Sequence, residues 1–218
     1  MSGHSKWATI HRQKGINDAK KGAIFTKLGR AITIAVKEGR GLQLALEKAK
    51  QFNMPKENIQ RALNPTQGEL HEVMFEGFAP GGVAVMISAV TDNKLRTAAA
   101  VRALLGKAEV SYLFSQVGEI IAQPPKPLEE AELEVMDLGV EDVEAEEGKV
   151  LIYCDKDKTF EIKGQLEQMG YVVEVAELAM RPMAQVVVED AAIRTRIETI
   201  LEKLSDLDDV QKVWTNYA

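Results

Sequence analysis

The stretch EVMFEGFAPGGVAVMISAV, residues 72–90, decides the fold. The helical period of the preceding residues gives way here to strand-like runs on both sides of Ala79-Pro80-Gly81-Gly82, which predict two strands, 72–78 and 83–90, joined by a turn built from proline and two glycines. Gly81-Gly82 is not a phosphate cradle, because the GxxxxGK[ST] spacing is missing and a strand rather than a helix follows. Thr91-Asp92-Asn93 then predicts a helix start with Asp92 as cap, the helix running to about residue 107 with Leu95, Ala98, Val101, Leu104 and Leu105 inward. A strand near 119–123 is expected to complete a β-α-β unit.

Upstream of this stretch the period is helical. Ile24, Phe25, Leu28, Ile32, Ala35 and Val36 recur at three- and four-residue steps and predict a helix over 18–38. A second helix is expected over 42–52 and a third after Asn53-Met54-Pro55, closed by Asn64-Pro65. Downstream, the stiff Pro124-Pro125-Lys126-Pro127 linker opens a module of different composition. Residues 125–182 hold 6 basic and 16 acidic residues in the order helix (128–138), strand (142–145), strand (149–155), helix (159–169), strand (172–179). A strand at 185–188, a helix over 189–204 and a strand at 210–216 look like the missing half of the first β-α-β unit, so the acidic module reads as an insertion in it. The expected fold is therefore α+β. An N-terminal basic helical bundle (1–64) is followed by two small ferredoxin-like α/β domains, 65–124 plus 183–218, with the acidic 125–182 domain inserted in it.

Charge follows the same division. Residues 1–64 carry 13 Lys and Arg against 4 Asp and Glu, while residues 65–218 carry 14 against 29, so the net charge of −6 conceals a cationic head on an anionic body. Cations gathered on one element displace counterions from phosphates whatever the far end carries, which points to a polyanionic partner. Residues 1–9 lack periodicity and read as an arm, where Lys6 and Trp7 precede His11, Arg12 and Lys14. Lysine and arginine supply phosphate contacts there. Trp7 has two readings, a flat face for an unstacked base or an anchor packed on the helices. Lys20, Lys21, Lys27 and Arg30 fall mostly off the apolar stripe of the first helix and are expected to extend the basic surface.

Other chemistries are poorly supplied. Three histidines and Cys154 assemble no zinc motif, no G-x-S-x-G elbow is present, and the carboxylates have no ligand spacing, so no metal, cofactor or catalytic centre is expected. Cys154 lies in an apolar run and reads as a core thiol. No apolar run reaches bilayer length, and Gly15, Asp18 and Gly22 interrupt the pattern of a transit peptide, which leaves the cytoplasm as the expected compartment and excludes a membrane partner.

Several motifs together carry a family resemblance. Gly3-His4-Ser5-Lys6-Trp7 with Ile10-His11, Phe25-Thr26-Lys27-Leu28, Asn53-Met54-Pro55-Lys56-Glu57-Asn58-Ile59, Glu76-Gly77-Phe78, Pro80-Gly81-Gly82, Thr91-Asp92-Asn93 with Arg96-Thr97, and Gly118-Glu119-Ile120 closely resemble the YebC/PmpR family. That family includes mitochondrial translational activators of cytochrome oxidase subunit synthesis. The resemblance implies a helical N-terminal domain and two α/β domains, and a role either as a DNA-binding transcriptional regulator or as a ribosome-associated translation factor. Gly39-Arg40-Gly41-Leu42 is shorter than the family's usual segment at that place.

The sequence reading favours a non-enzymatic regulator that contacts RNA of the ribosome through Lys6, Trp7, His11, Arg12, Lys14, Lys20, Lys21, Lys27 and Arg30. DNA-binding transcriptional regulation is the alternative. A monomer is expected, with a dimer as the variant the DNA reading would bring.

Overall fold

The computed structural model describes residues 21–39, 41–65, 70–146 and 148–218. The chain divides into two compact units, one of them Phe114–Met183 and the other holding the described residues up to and including Leu113 together with Ala184–Ala218.

The larger unit begins with three helices, α1 (Lys21–Glu38), α2 (Leu42–Gln51) and α3 (Lys56–Leu63). The apolar stripe of α1 meets the inner faces of the other two, and Leu28, Ile32, Ala49, Met54 and Ala62 form a core, flanked by Phe25, Leu46 and Ile59. Chain then enters the hairpin of β1 (His71–Ala79) and β2 (Val83–Thr91), which pair antiparallel in unbroken register from His71↔Thr91 to Ala79↔Val83. The turn between them holds Gly81 at φ 75° and Gly82 at φ 74°, a left-handed geometry that a side chain resists. After α4 (Lys94–Arg102) and the two-residue β3 (Gly106–Lys107), the chain leaves this unit; it returns for α7 (Ala191–Asp206) and β8 (Val210–Thr215). The sheet order is β3-β1-β2-β8. Its core is formed by Val83, Val85, Ile87 and Ala89 of β2 against Val101 and Leu105 from α4 and its tail, Ile197, Leu201 and Leu204 of α7, and Tyr217.

The smaller unit runs β4 (Phe114–Gln123), α5 (Leu128–Met136), β5 (Asp142–Glu146), β6 (Lys149–Cys154), α6 (Thr159–Gln168) and β7 (Val172–Pro182). Its all-antiparallel order β5-β6-β4-β7 is that of the split β-α-β, or ferredoxin-like, arrangement. Ile120, Val150, Ile152 and Cys154 face Ala131, Val135, Ile162 and Leu166 of the two helices. Burial pushes the Cys154 thiol up, as suits a core sulfur. Arg181 pairs with Asp142 of β5 and lies 4.1 Å from the centre of the Tyr153 ring, while Lys149 meets Glu174 at 2.6 Å, so part of the acidic charge is balanced within the unit.

Several expectations are corrected. The strand at 119–123 belongs to β4, which pairs with β6 and β7, so it does not close the first sheet, and the two sheets part at Leu113 rather than at 124. Alternation alone does not say which sheet takes a strand. The helix after Asn93 ends at Arg102, because Leu105 drops into the sheet core and Gly106 and Lys107 pair with Phe78 and Gly77. Asn93, not Asp92, is its cap: the Asn93 carboxamide accepts from the Arg96 N–H at 3.0 Å, and Leu95 stands 84% exposed while Thr97 is buried. At 185–188 only a single parallel bridge forms, Val186 with Tyr217. In the ferredoxin-like sense only the smaller sheet has the full strand order; the larger one has its hairpin at the centre.

Candidate nucleic-acid interface

Helix α1 carries the described part of the basic head, and it has two packed sides rather than one. Leu28 and Ile32 are buried in the core of its own bundle; Ile34 and Ala35 are also buried, yet lie outside that core, and α1 touches β2 and β8. Lys27 and Arg30, three residues apart and so one turn apart, lie on this second side. The Lys27 ammonium donates to the carbonyl of Ser205, in the last turn of α7, where the helix leaves its carbonyls unpaired and its dipole favours a cation. Arg30 donates through Nη1 to the Asp208 carbonyl at 2.6 Å and to Asp209 Oδ1 at 2.6 Å.

Asp209 is the centre of this joint. It sits between α7 and β8 with its side chain 11% exposed, and four side chains converge on it. Oδ2 accepts from Thr97 Oγ1 at 2.6 Å, Arg96 Nη2 at 3.1 Å and Thr91 Oγ1 at 3.2 Å, while Oδ1 takes Arg30. Arg96 also holds Asp92 Oδ1 at 2.6 Å, and the Thr91 hydroxyl accepts from the Asn93 N–H at 3.0 Å. Burial would raise the Asp209 carboxyl, but the Thr97 hydroxyl and the Arg96 and Arg30 guanidiniums outweigh it and hold the group below its ordinary value. The end of β2, the start of α4, the α7–β8 turn and α1 are thus tied at one carboxylate.

A second carboxylate does similar work at the other edge of the sheet. Glu76 on β1 accepts from the backbone N–H groups of Val110 and Ser111, both at 2.7 Å, and the Val110 donor is the main cause that lowers its pKa. It fixes the chain just beyond β3.

The expected site residues divide accordingly. Lys6, Trp7, His11, Arg12, Lys14 and Lys20 lie outside the described residues, and Lys21 opens α1 with its side chain outside them. Lys27 and Arg30 do not extend a free basic surface, because both are spent on carbonyls and on Asp209. Position off the apolar stripe implied solvent; the helix instead has a second neighbour. Lys37 is exposed and donates to the Leu70 carbonyl at 3.2 Å. The sequence reading missed Asp209 and Thr91 as a hub, although Asp208-Asp209 between a helix and a strand, opposite a helix with off-stripe cations, is the pattern that marks such a joint. Among the described residues no group of His, Cys, Asp and Glu could hold a metal ion, and no helix is long and apolar enough to cross a membrane.

Two family models match the chain end to end, the TACO1/YebC protein N-terminal domain over residues 5–69 and the TACO1/YebC second and third domain over residues 70–217. A probable transcriptional regulatory protein of Chloroflexus aurantiacus is 42% identical over 242 aligned residues, covering 99% of this chain and 95% of that protein. One of Thermotoga petrophila is 42% identical, with coverage of 100% and 94%. The crystal structure of a conserved hypothetical protein from Aquifex aeolicus superposes with a TM-score of 0.85 at 36% identity, over 92% of this chain and 91% of that one. On both the sequence and the fold, the chain belongs to the TACO1/YebC family.

Proposed function

We propose that this protein is a non-enzymatic regulator of gene expression that docks on nucleic acid through its N-terminal segment, and that it acts as a DNA-binding transcriptional regulator. The observation that carries the reading is the charge division, 13 cations against 4 acids in residues 1–64 of a chain that is otherwise strongly acidic. The naming of its relatives as probable transcriptional regulatory proteins supports DNA as the partner. Lys6, Arg12, Lys14, Lys20 and Lys21 are the phosphate contacts in this reading, with Trp7 and His11 beside them. Lys27 and Arg30 serve instead to hold α1 against Ser205 and Asp209.

A second reading, association with ribosomal RNA in translation, is favoured by one observation: Trp7 lies next to Lys6, a pairing of ring and cation that suits unstacked bases. One experiment separates the two. Full-length protein and a variant lacking residues 1–14 are compared in chromatin capture and in sedimentation with ribosomes at low and moderate salt. Recovery of particular promoter fragments by the full-length protein alone supports the DNA reading. Co-sedimentation with ribosomes that needs residues 1–14, without promoter recovery, replaces it with the translation reading. Equal behaviour of both proteins in both assays removes the N-terminal segment from the function.

A further inference from the structure

The cations best placed for a large anion among the described residues are not on α1. Residues 93–108 carry four cations, Lys94, Arg96, Arg102 and Lys107, and no acid, within a body that is net −15 from residue 65 onward. Arg96 is engaged by Asp92 and Asp209. Lys94, Arg102 and Lys107 are exposed, and among the described residues their side chains make no ion pair or hydrogen bond. Lys94 stands in the first turn of α4, where the helix dipole disfavours a cation and no acidic residue offsets it, so it contributes nothing to the helix that would explain its presence. Between Lys94 and Arg102 the outward face is surfaced by Leu95 and Ala99, and Ala99 in particular leaves room for a bulky partner to come close to the backbone.

We propose that this α4–β3 surface is a second phosphate-contact site, with Lys94, Arg102 and Lys107 as its contacts and the backbone of duplex DNA as its occupant. The proposal rests on the nucleic-acid reading above and adds a contact outside the N-terminal domain. Eight residues of helix separate Lys94 from Arg102, about 12 Å along its axis. Over that length a duplex presents about seven backbone charges, enough for the ammonium and the guanidinium to meet separate phosphates. Sequence-independent contacts of this kind set register and affinity, not specificity. The hub at Asp209 fixes α4 against α1.

The test uses full-length protein and a labelled DNA duplex, with affinity followed by fluorescence anisotropy across a range of salt. The combined variant Lys94→Gln, Arg102→Gln, Lys107→Gln should lower the slope of log affinity against log salt by about 2.7, at about 0.9 per phosphate released. A control variant, Lys156→Gln with Lys158→Gln, removes exposed cations from the other unit and should leave the slope as it is. All five positions are exposed, and circular dichroism checks that both variants fold. If wild type binds and the α4–β3 variant keeps its slope, this surface is not a contact while the nucleic-acid reading stands. An equal fall in the control attributes the effect to net charge and overturns the proposal. Loss of affinity for an RNA duplex of the same sequence but not for DNA overturns the DNA assignment. If wild type binds neither nucleic acid, both readings fall together.

Discussion

Asp209→Ala tests the joint most directly. The substitution strips one carboxylate from Arg30, Arg96, Thr97 and Thr91 at once and leaves a partly buried guanidinium without its counter-charge. Removing one partner of a buried, hydrogen-bonded ion pair costs about 3–5 kcal/mol. That is a large share of a domain stability of roughly 5–15 kcal/mol. At about 2–4 °C per kcal/mol, the transition of the larger unit should fall by about 6–20 °C in scanning calorimetry. Asp209→Asn preserves shape but not charge and should cost about 1.5–3 kcal/mol. The effect also has a pH signature. The folded carboxyl titrates below the unfolded one, so its contribution is complete above the ordinary aspartate value of 3.8 and disappears as pH falls through the lower folded value. Wild type and Asp209→Ala should therefore converge in stability in acid. A double-mutant cycle with Arg30→Ala should give a coupling of at least ~1 kcal/mol. A cost for Asp209→Ala below ~1 kcal/mol, or additivity with Arg30→Ala, would refute the hub.

Three further substitutions probe the sheets. Gly77→Ala would place its Cβ 2.3 Å from the backbone oxygen of Gly106, which cannot swing aside, so β3 should detach; amide exchange at Gly106 and Lys107 should rise sharply, and unchanged exchange would contradict this packing. Gly118→Ala meets Thr159 Oγ1 at 2.1 Å and Cys154 Sγ at 2.8 Å, and should destabilise the smaller unit by roughly 1–3 kcal/mol in urea unfolding, with the larger unit's transition unmoved. Glu76→Gln keeps the strand but weakens the two charge-assisted bonds to Val110 and Ser111, at about 1–3 kcal/mol in total; as the Glu76 carboxyl is held low, this difference too should be present at neutral pH and vanish in acid.

Element type was legible wherever one neighbour determined the pattern. The β1–β2 hairpin follows from the turn at Pro80-Gly81-Gly82 between two strand-like runs, of which β2 is apolar and buried along its whole length, and α2, α3, α5 and α6 follow from their stripes and flanking prolines or glycines. The misreadings share a cause, a second neighbour that periodicity does not encode. Leu104 and Leu105 continue the stripe of α4, yet Leu105 is buried by the sheet after the helix has ended. The strand at 119–123 suited either sheet, and only the length and pairing of β4 with β7, from Phe114↔Pro182 to Gln123↔Val172, assign it to the smaller one. Lys27 and Arg30 were equally ambiguous: an off-stripe cation looks the same in sequence whether it meets water or the end of another helix.

This bears on what the family's motifs mean. Within the described residues, the stretches that carry the resemblance serve as joints. Glu76 and Gly77 pin the β3 edge, Gly81-Gly82 turns the hairpin, Thr91, Arg96 and Thr97 build the Asp209 hub, and Gly118 lets β4 approach Thr159. Side chains occupied in holding elements together are poor candidates for binding a partner, because contact with phosphate would have to displace bonds the fold already uses. Arg30 is the clearest case, as its transfer to a phosphate would leave the Asp209 carboxylate short of charge inside the protein. Residues that bind without such a loss must be free in the folded chain. Lys94, Arg102 and Lys107 meet that condition among the described cations, and for this reason the α4–β3 surface carries a sharper test of nucleic-acid binding than the cations of α1.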